Sequence, residues 1–110
     1  MHKILFVCAQ NKLRSPTAEN IFSRFDTLDC LSAGIHESAN NPLDREAIEW
    51  ADLIFAMESK HKTKIQQRFK SSLNGKKIIA LDIPDEFAYM QPELVELLEK
   101  KVMPHLKKFL

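Results

Sequence analysis

Ile4-Leu5-Phe6-Val7 is a continuous apolar run, the pattern of a strand buried on both faces. After a polar stretch, Ala18, Ile21, Phe22 and Phe25 recur at helical spacing, with Ser15 where an N-cap belongs and Pro16 at the first helical position. The alternation continues along the chain. Leu28 to Ala33 reads as a second strand ending at Gly34, and Asn41-Pro42 as the start of a brief helix carrying Leu43, Ala47 and Trp50. Leu53-Ile54-Phe55-Ala56-Met57 is a third strand, followed by a helix capped by Ser59 and running to about Phe69. Asn74-Gly75 turns the chain into a fourth strand, Ile78-Ile79-Ala80-Leu81. Pro92 opens a long amphipathic helix with Leu94, Leu98, Val102, Leu106 and Phe109 near one face, which Pro104 should kink or split. Strands alternating with helices predict an α/β fold, a parallel sheet covered on both faces, with ligands bound beyond the carboxyl ends of its strands.

Composition narrows the classes. The 110 residues carry 16 basic and 15 acidic side chains, two cysteines and two glycines. This length suits one domain over residues 1–110. A net charge of +1 disfavours a general nucleic-acid coat, and two cysteines are too few for a disulfide scaffold. The opening residues are too short for a signal peptide and no apolar run is long enough to span a membrane, so the expectation is a reduced, soluble, cytoplasmic protein. With Gly34 and Gly75 alone, neither a dinucleotide fingerprint nor a Walker loop can be written.

The loop after the first strand carries the chemistry. Cys8-Ala9-Gln10-Asn11-Lys12-Leu13-Arg14-Ser15 places five residues between a cysteine and an arginine, at the entrance to a helix. A loop of this length curls so that the amides of Ala9 to Ser15 point inward around one tetrahedral oxyanion, such as inorganic phosphate. Arg14 adds a planar fork that holds two oxygens at once. Cys8 lies at the floor, where the helix start and the guanidinium both favour thiolate, the nucleophilic form. A lone cysteine ending a buried strand is more often a core residue; the joint placement with Arg14, Ser15 and Pro16 reverses that expectation. Cys30, with no basic neighbour in sequence, is expected to be structural.

Val7-Cys8 through Arg14-Ser15-Pro16-Thr17-Ala18-Glu19 closely resembles the active-site signature of the low-molecular-weight protein tyrosine phosphatases, with Ser32-Ala33-Gly34 and Ala51 to Met57 as further landmarks. The chain is shorter than is usual in that family. The resemblance implies a three-layer, flavodoxin-like fold with a four-stranded parallel sheet in the order 2-1-3-4. It implies hydrolysis of a phosphomonoester, phosphotyrosine or another aryl phosphate on a protein or small molecule, through a phosphocysteine on Cys8. Arg14 and the loop amides stabilise the equatorial oxygens, Asn11 and Ser15 shape the loop, and no metal or other cofactor is implied. Two positions depart from the family pattern: Gln10 stands where glycine is usual, and Leu13 where a second cysteine is common.

The family supplies its general acid from a segment after the fourth strand, here Asp82-Ile83-Pro84-Asp85-Glu86-Phe87. Strand register puts Asp82 first; Asp85, behind a proline in a loop, is the alternative. Phe87 and Tyr89 are candidates for one wall of an aryl slot, or for hydrophobic packing, and Lys12 for added positive potential. Lys60, Lys62, Lys64, Arg68, Lys70, Lys76 and Lys77 form a basic stretch with no acidic residue between Ser59 and Leu81. It is a solvated face or a docking surface for an acidic partner. Other readings of the chain are a cysteine phosphocarrier, an arsenate reductase, or a phosphoprotein-binding or phosphate-sensing module with little catalysis. Arg14 argues against the carrier, and the lack of a further redox cysteine pair against the reductase.

Overall fold

The apolar run becomes the centre of β1 (His2–Cys8), which pairs in parallel with β2 (Leu28–Gly34) on one side and β3 (Leu53–Ala56) on the other. β4 (Ile78–Ala80) adds outside β3, giving the order β2-β1-β3-β4. This computed structural model describes residues 1–110.

Alternation along β1 sends Ile4, Phe6 and Cys8 to one face, and Leu5 and Val7 to the other. Ile4 and Phe6 pack with Phe22 of α1 (Arg14–Phe22) and with Leu94, Leu98 and Val102 of α5 (Pro92–Leu106). Phe6 stacks between Phe22 and Phe55, with centroids 5.6 and 5.4 Å away. The opposite face is covered by Ile48 of α2 (Arg45–Trp50), Ile65 of α3 (Ser59–Arg68) and Leu73 of α4 (Lys70–Leu73). Burial on both faces explains why β1 from Ile4 onward and β3 are apolar throughout, whereas β2 alternates at its start, with Asp29 and Leu31 exposed.

Several boundaries differ from expectation, among them the end of α1 at Phe22, short of Phe25, and the cap of α3, which is Glu58 rather than Ser59. The first helix begins at Arg14 with Leu13 at its N-cap, because the Ser15 hydroxyl is engaged in the preceding loop instead of capping. Residues around Asn41-Pro42 are extended, not helical: the Gly34 amide donates to Asn41 O and the Leu43 amide to Gly34 O, continuing the edge of β2. The helix starts instead at Arg45, where Asp44 Oδ1 accepts the Ala47 amide at 2.8 Å. The short α4 was not signalled by periodicity, and it ends at Asn74 and Gly75, both with positive φ. The last helix continues through Pro104 to Leu106 and tightens into a 3-10 turn over Lys107–Phe109, so the proline ends the α-helix a few residues late rather than splitting it.

Candidate active site

β1 delivers Cys8 to the carboxyl edge of the sheet, and the chain from Cys8 to Arg14 closes a loop over it. Asn11 takes the tight turn, with φ at 56°, a conformation asparagine tolerates. Gln10 is therefore not the residue that needs a glycine's freedom. Its carbonyl accepts the Asn40 amide at 3.1 Å, and Asn40 Nδ2 donates to Asn11 O at 3.2 Å. Gly34 lets the end of β2 approach the loop: a Cβ there would lie 2.5 Å from Ala39 Cβ and 2.8 Å from Ala9 O.

Inside the loop, the Asn11 amide donates to Cys8 Sγ at 3.2 Å, and Ser15 Oγ lies 2.9 Å from the same sulfur. Asn11 Nδ2 donates to Ser15 Oγ at 2.9 Å, so the hydroxyl proton has the sulfur at 2.9 Å and the Ala33 carbonyl at 3.5 Å as its acceptors. Cys8, Asn11, Arg14 and Ser15 are all buried.

Arg14 is held from behind. Its Nη1 donates to Glu58 Oε2 at 2.5 Å and to the Ile83 carbonyl at 2.7 Å. That anchors one corner of the guanidinium and leaves the edge carrying Nε and Nη2 for a ligand. Burial opposes ionisation of Glu58, but the hydrogen bond and charge of Arg14, helped by His61 and Lys60, outweigh it and hold the carboxyl below its ordinary value of 4.5. Burial, reinforced by Arg14, pushes His61 down to about 4 against the pull of Glu58. Its Nδ1 accepts the Glu58 amide, so the neutral ring carries its proton on Nε2. The sequence reading missed Glu58, 44 residues away in sequence from the arginine it grips. The one local signal was its place at the cap of α3.

The two acid candidates part company. Leu81 and Ile83 are buried, and their amides donate to Ala56 O and Met57 O, extending the β3 pairing beyond β4. Asp82 lies between them with φ at 55° and turns outward, where its Oδ1 accepts from Ser59 Oγ. Asp85 reaches over the loop instead: with Cys8, Ala9, Gln10, Lys12, Leu13 and Arg14 it lines a small cavity of about 90 Å³, and its Oδ1 is 3.8 Å from Arg14 Nε. Strand register favoured Asp82; the backbone path brings Asp85 to the cysteine. Lys101 Nζ pins this segment from α5 by donating to the carbonyls of Leu81 and Asp82.

Phe87 and Tyr89 do not line that cavity. Phe87 packs against the α1/α5 core, while Tyr89 is half exposed and its hydroxyl accepts from Asn20 on α1. Lys12 is on the cavity's rim, and Trp50 packs against the core of the other face. Cys30 is buried, and burial pushes its thiol up to about 11. Ile4 pairs with Cys30 and Cys8 with Gly34, so the two cysteines are four residues, or about 13 Å, out of register. A disulfide needs Cα atoms within about 7 Å. Peroxide is therefore expected to carry Cys8 to sulfinic and sulfonic acids without a protective Cys8–Cys30 bridge. Peptide mass spectrometry after graded peroxide checks this, and a dominant Cys8–Cys30 disulfide would contradict it.

A cysteine at the end of the first strand of a 2-1-3-4 parallel sheet, beneath a loop closed by a buried arginine at a helix start, defines a cysteine-based phosphatase. A model of the low molecular weight phosphotyrosine protein phosphatase family matches residues 3–51 of the chain. Among solved structures, it is similar to the YwlE arginine phosphatase from Geobacillus stearothermophilus, with 25% identity and a TM-score of 0.72 over 98% of this chain and 97% of that one. It is also similar to a low molecular weight protein tyrosine phosphatase from Bacillus subtilis, with 27% identity and a TM-score of 0.73 over 96% and 97%. A third similar structure is a cysteine-to-serine mutant of YwlE arginine phosphatase with a phosphorylated active-site serine, at 25% identity and a TM-score of 0.71 over 96% of each chain. A search of curated proteins finds no match. No helix is long and apolar enough to cross a membrane.

Proposed function

We propose that this protein hydrolyses phosphomonoesters of proteins or small molecules, phosphotyrosine or another aryl phosphate first among them, through a phosphocysteine on Cys8. The observation that carries this reading is the surroundings of one sulfur, to which the Asn11 amide donates and beside which the Ser15 hydroxyl lies at 2.9 Å, beneath a cavity that Arg14 and Asp85 also line. Both stabilise the sulfur as an acceptor of hydrogen bonds, the state in which it is a nucleophile. The thiolate attacks phosphorus, an S–P bond forms as the P–O bond to the leaving group breaks, and Asp85 gives its proton to the departing oxygen. Arg14 and the amides of Ala9 to Ser15 hold the three equatorial oxygens as their charge redistributes. Asp85, now ionised, takes a proton from water; the resulting attack breaks the S–P bond and releases inorganic phosphate and the thiolate. All these steps use this chain's own groups. A free thiolate demands a reducing compartment, which supports a cytoplasmic location.

The assignment of Asp85 is tested against Asp82. Asp85→Asn is expected to lower turnover of phosphotyrosine by about 10²- to 10⁴-fold, the usual worth of a positioned acid and base. Asp82→Asn, which keeps an oxygen to accept from Ser59 and changes only an exposed charge, should change it less than about threefold, the scale of a surface substitution. Pre-steady-state phosphorylation and dephosphorylation rates check both, and the reverse ranking would return the role to Asp82. Because similar chains include an arginine phosphatase and neither Phe87 nor Tyr89 lines the cavity, phosphoarginine belongs in the same substrate panel. A kcat/KM higher for phosphoarginine than for phosphotyrosine would replace the aryl preference without altering the role of Cys8.

A further inference from the structure

Beside the phosphate loop, and much larger than the cavity over Cys8, lies a second cleft of about 450 Å³. It is bordered by Ala9 of the loop, by Ile35, His36 and Glu37 after β2, and by the inner edge of α3, where Lys60, His61, Lys64 and Arg68 follow one another at helical spacing. Three permanent cations thus face one carboxylate. The cations are not all neutralised by neighbours. Lys60 Nζ is 3.7 Å from Glu58, but Lys64 forms no ion pair, and Arg68 spends its Nη1 on the Ile35 carbonyl at 2.8 Å. That bond, together with the stacking of the guanidinium over Phe69 at 5.4 Å, fixes the arginine at the cleft's rim. A polar atom also lacks a hydrogen bond there: His61 is 3% exposed, and its Nε2 makes none, with Glu58 Oε2 lying 3.8 Å away. With Nδ1 occupied as an acceptor, Nε2 is an unused donor, a group that normally finds an acceptor when buried.

We propose that this cleft is an anion subsite for substrate, receiving a carboxylate or a second phosphate from a residue flanking the phosphorylated one, so that the enzyme selects acidic phosphopeptides. The inference rests on the phosphatase reading for the position of the scissile group. The cavity over Cys8 is too small to hold much beyond the phosphoryl group, so recognition of the rest of a substrate falls to surfaces outside it. Ala9 borders both spaces, so the basic cleft adjoins the phosphoryl site. The same residues account for part of the uncompensated basic stretch between Ser59 and Leu81.

The test compares two phosphotyrosyl peptides that differ only in flanking Glu or Gln. Equilibrium binding is measured with Cys8→Ala protein, so that nothing is turned over, and kcat/KM with wild type. The acidic peptide is expected to bind about three- to tenfold more tightly, the range of one or two partly exposed charge-assisted contacts, and to show the same preference in kcat/KM. Added in the binding protein, Lys64→Glu should abolish the preference, whereas Lys70→Glu, an equal charge change outside the cleft, should retain most of it. Equal binding of the two peptides, absence of binding, or equal loss of preference in both lysine variants would overturn the subsite. A wild type that hydrolyses neither aryl phosphates nor phosphoarginine would instead overturn the phosphatase reading, and the binding ratio would still decide the subsite.

Discussion

Cys8→Ser is expected to reduce turnover of p-nitrophenyl phosphate by at least about 10⁴-fold, the scale on which loss of a covalent nucleophile is felt. The substitution keeps the size of the side chain and its neighbour Ser15, 2.9 Å from the sulfur, so folding should be preserved. Thermal unfolding close to wild type would separate loss of chemistry from loss of structure. A hydroxyl at this position is a poorer nucleophile and a much poorer leaving group than a thiolate. Attack is slowed and a phosphoserine, once formed, resists hydrolysis. The phosphorylated active-site serine in the similar cysteine-to-serine mutant is the outcome expected of that imbalance. Cys8→Ser protein incubated with substrate should gain a slowly accumulating phosphoryl group at residue 8 and none of the repeated product release of wild type. Steady turnover within tenfold of wild type would rule out the mechanism.

Arg14→Lys should cost about 10²- to 10³-fold in kcat, the range seen when an aimed donor to a developing charge is removed. Charge is retained, but the fork is not. Nη1 is fixed by Glu58 and the Ile83 carbonyl, and only a planar guanidinium keeps a second edge free for two phosphoryl oxygens while so anchored. A lysine must choose between Glu58 and the substrate. Glu58→Gln separates anchor from ligand: it should lower kcat less than Arg14→Lys does, and destabilise the fold by about 1 kcal/mol near neutral pH, a figure discounted for the partial exposure of the carboxylate. The sign of its pH dependence follows from the depressed carboxyl. Glu58 contributes its stability in full above 4.5, and that contribution is lost as pH falls through its lower folded value. The difference in Tm between wild type and Glu58→Gln should therefore shrink on going from pH 7 to pH 3. A difference that grows with acid would show that the pair is not what holds Arg14.

What the sequence revealed about this site follows how far each contact reaches along the chain. β1, its loop and α1 were legible because strand, cysteine, arginine and proline are contiguous. The strand order came from resemblance to a family, and the sheet follows it. Ser15 was misassigned as a cap because a serine before proline has that meaning locally, and only the folded loop gives its hydroxyl a sulfur and an asparagine instead. Which of Asp82 and Asp85 lies over the loop could not be read from register, since it depends on Leu81 and Ile83 both being buried while the residue between them adopts a positive φ and turns outward. Glu58 was invisible for a related reason: nothing near Arg14 in sequence announces a partner on another helix start. The extended segment at Asn41-Pro42 was hidden by a proline that suits both a helix start and a strand edge.

The most direct test is rapid acid quenching of wild-type protein with p-nitrophenyl phosphate, followed by peptide mapping under conditions that preserve thiophosphate esters. The account predicts one phosphoryl group on the peptide containing Cys8, formed within the first turnover and accumulating further in Asp85→Asn, where its hydrolysis is slowed. Full turnover with no phosphorylated Cys8 at any quench time, or with the phosphoryl group on another residue, would contradict it.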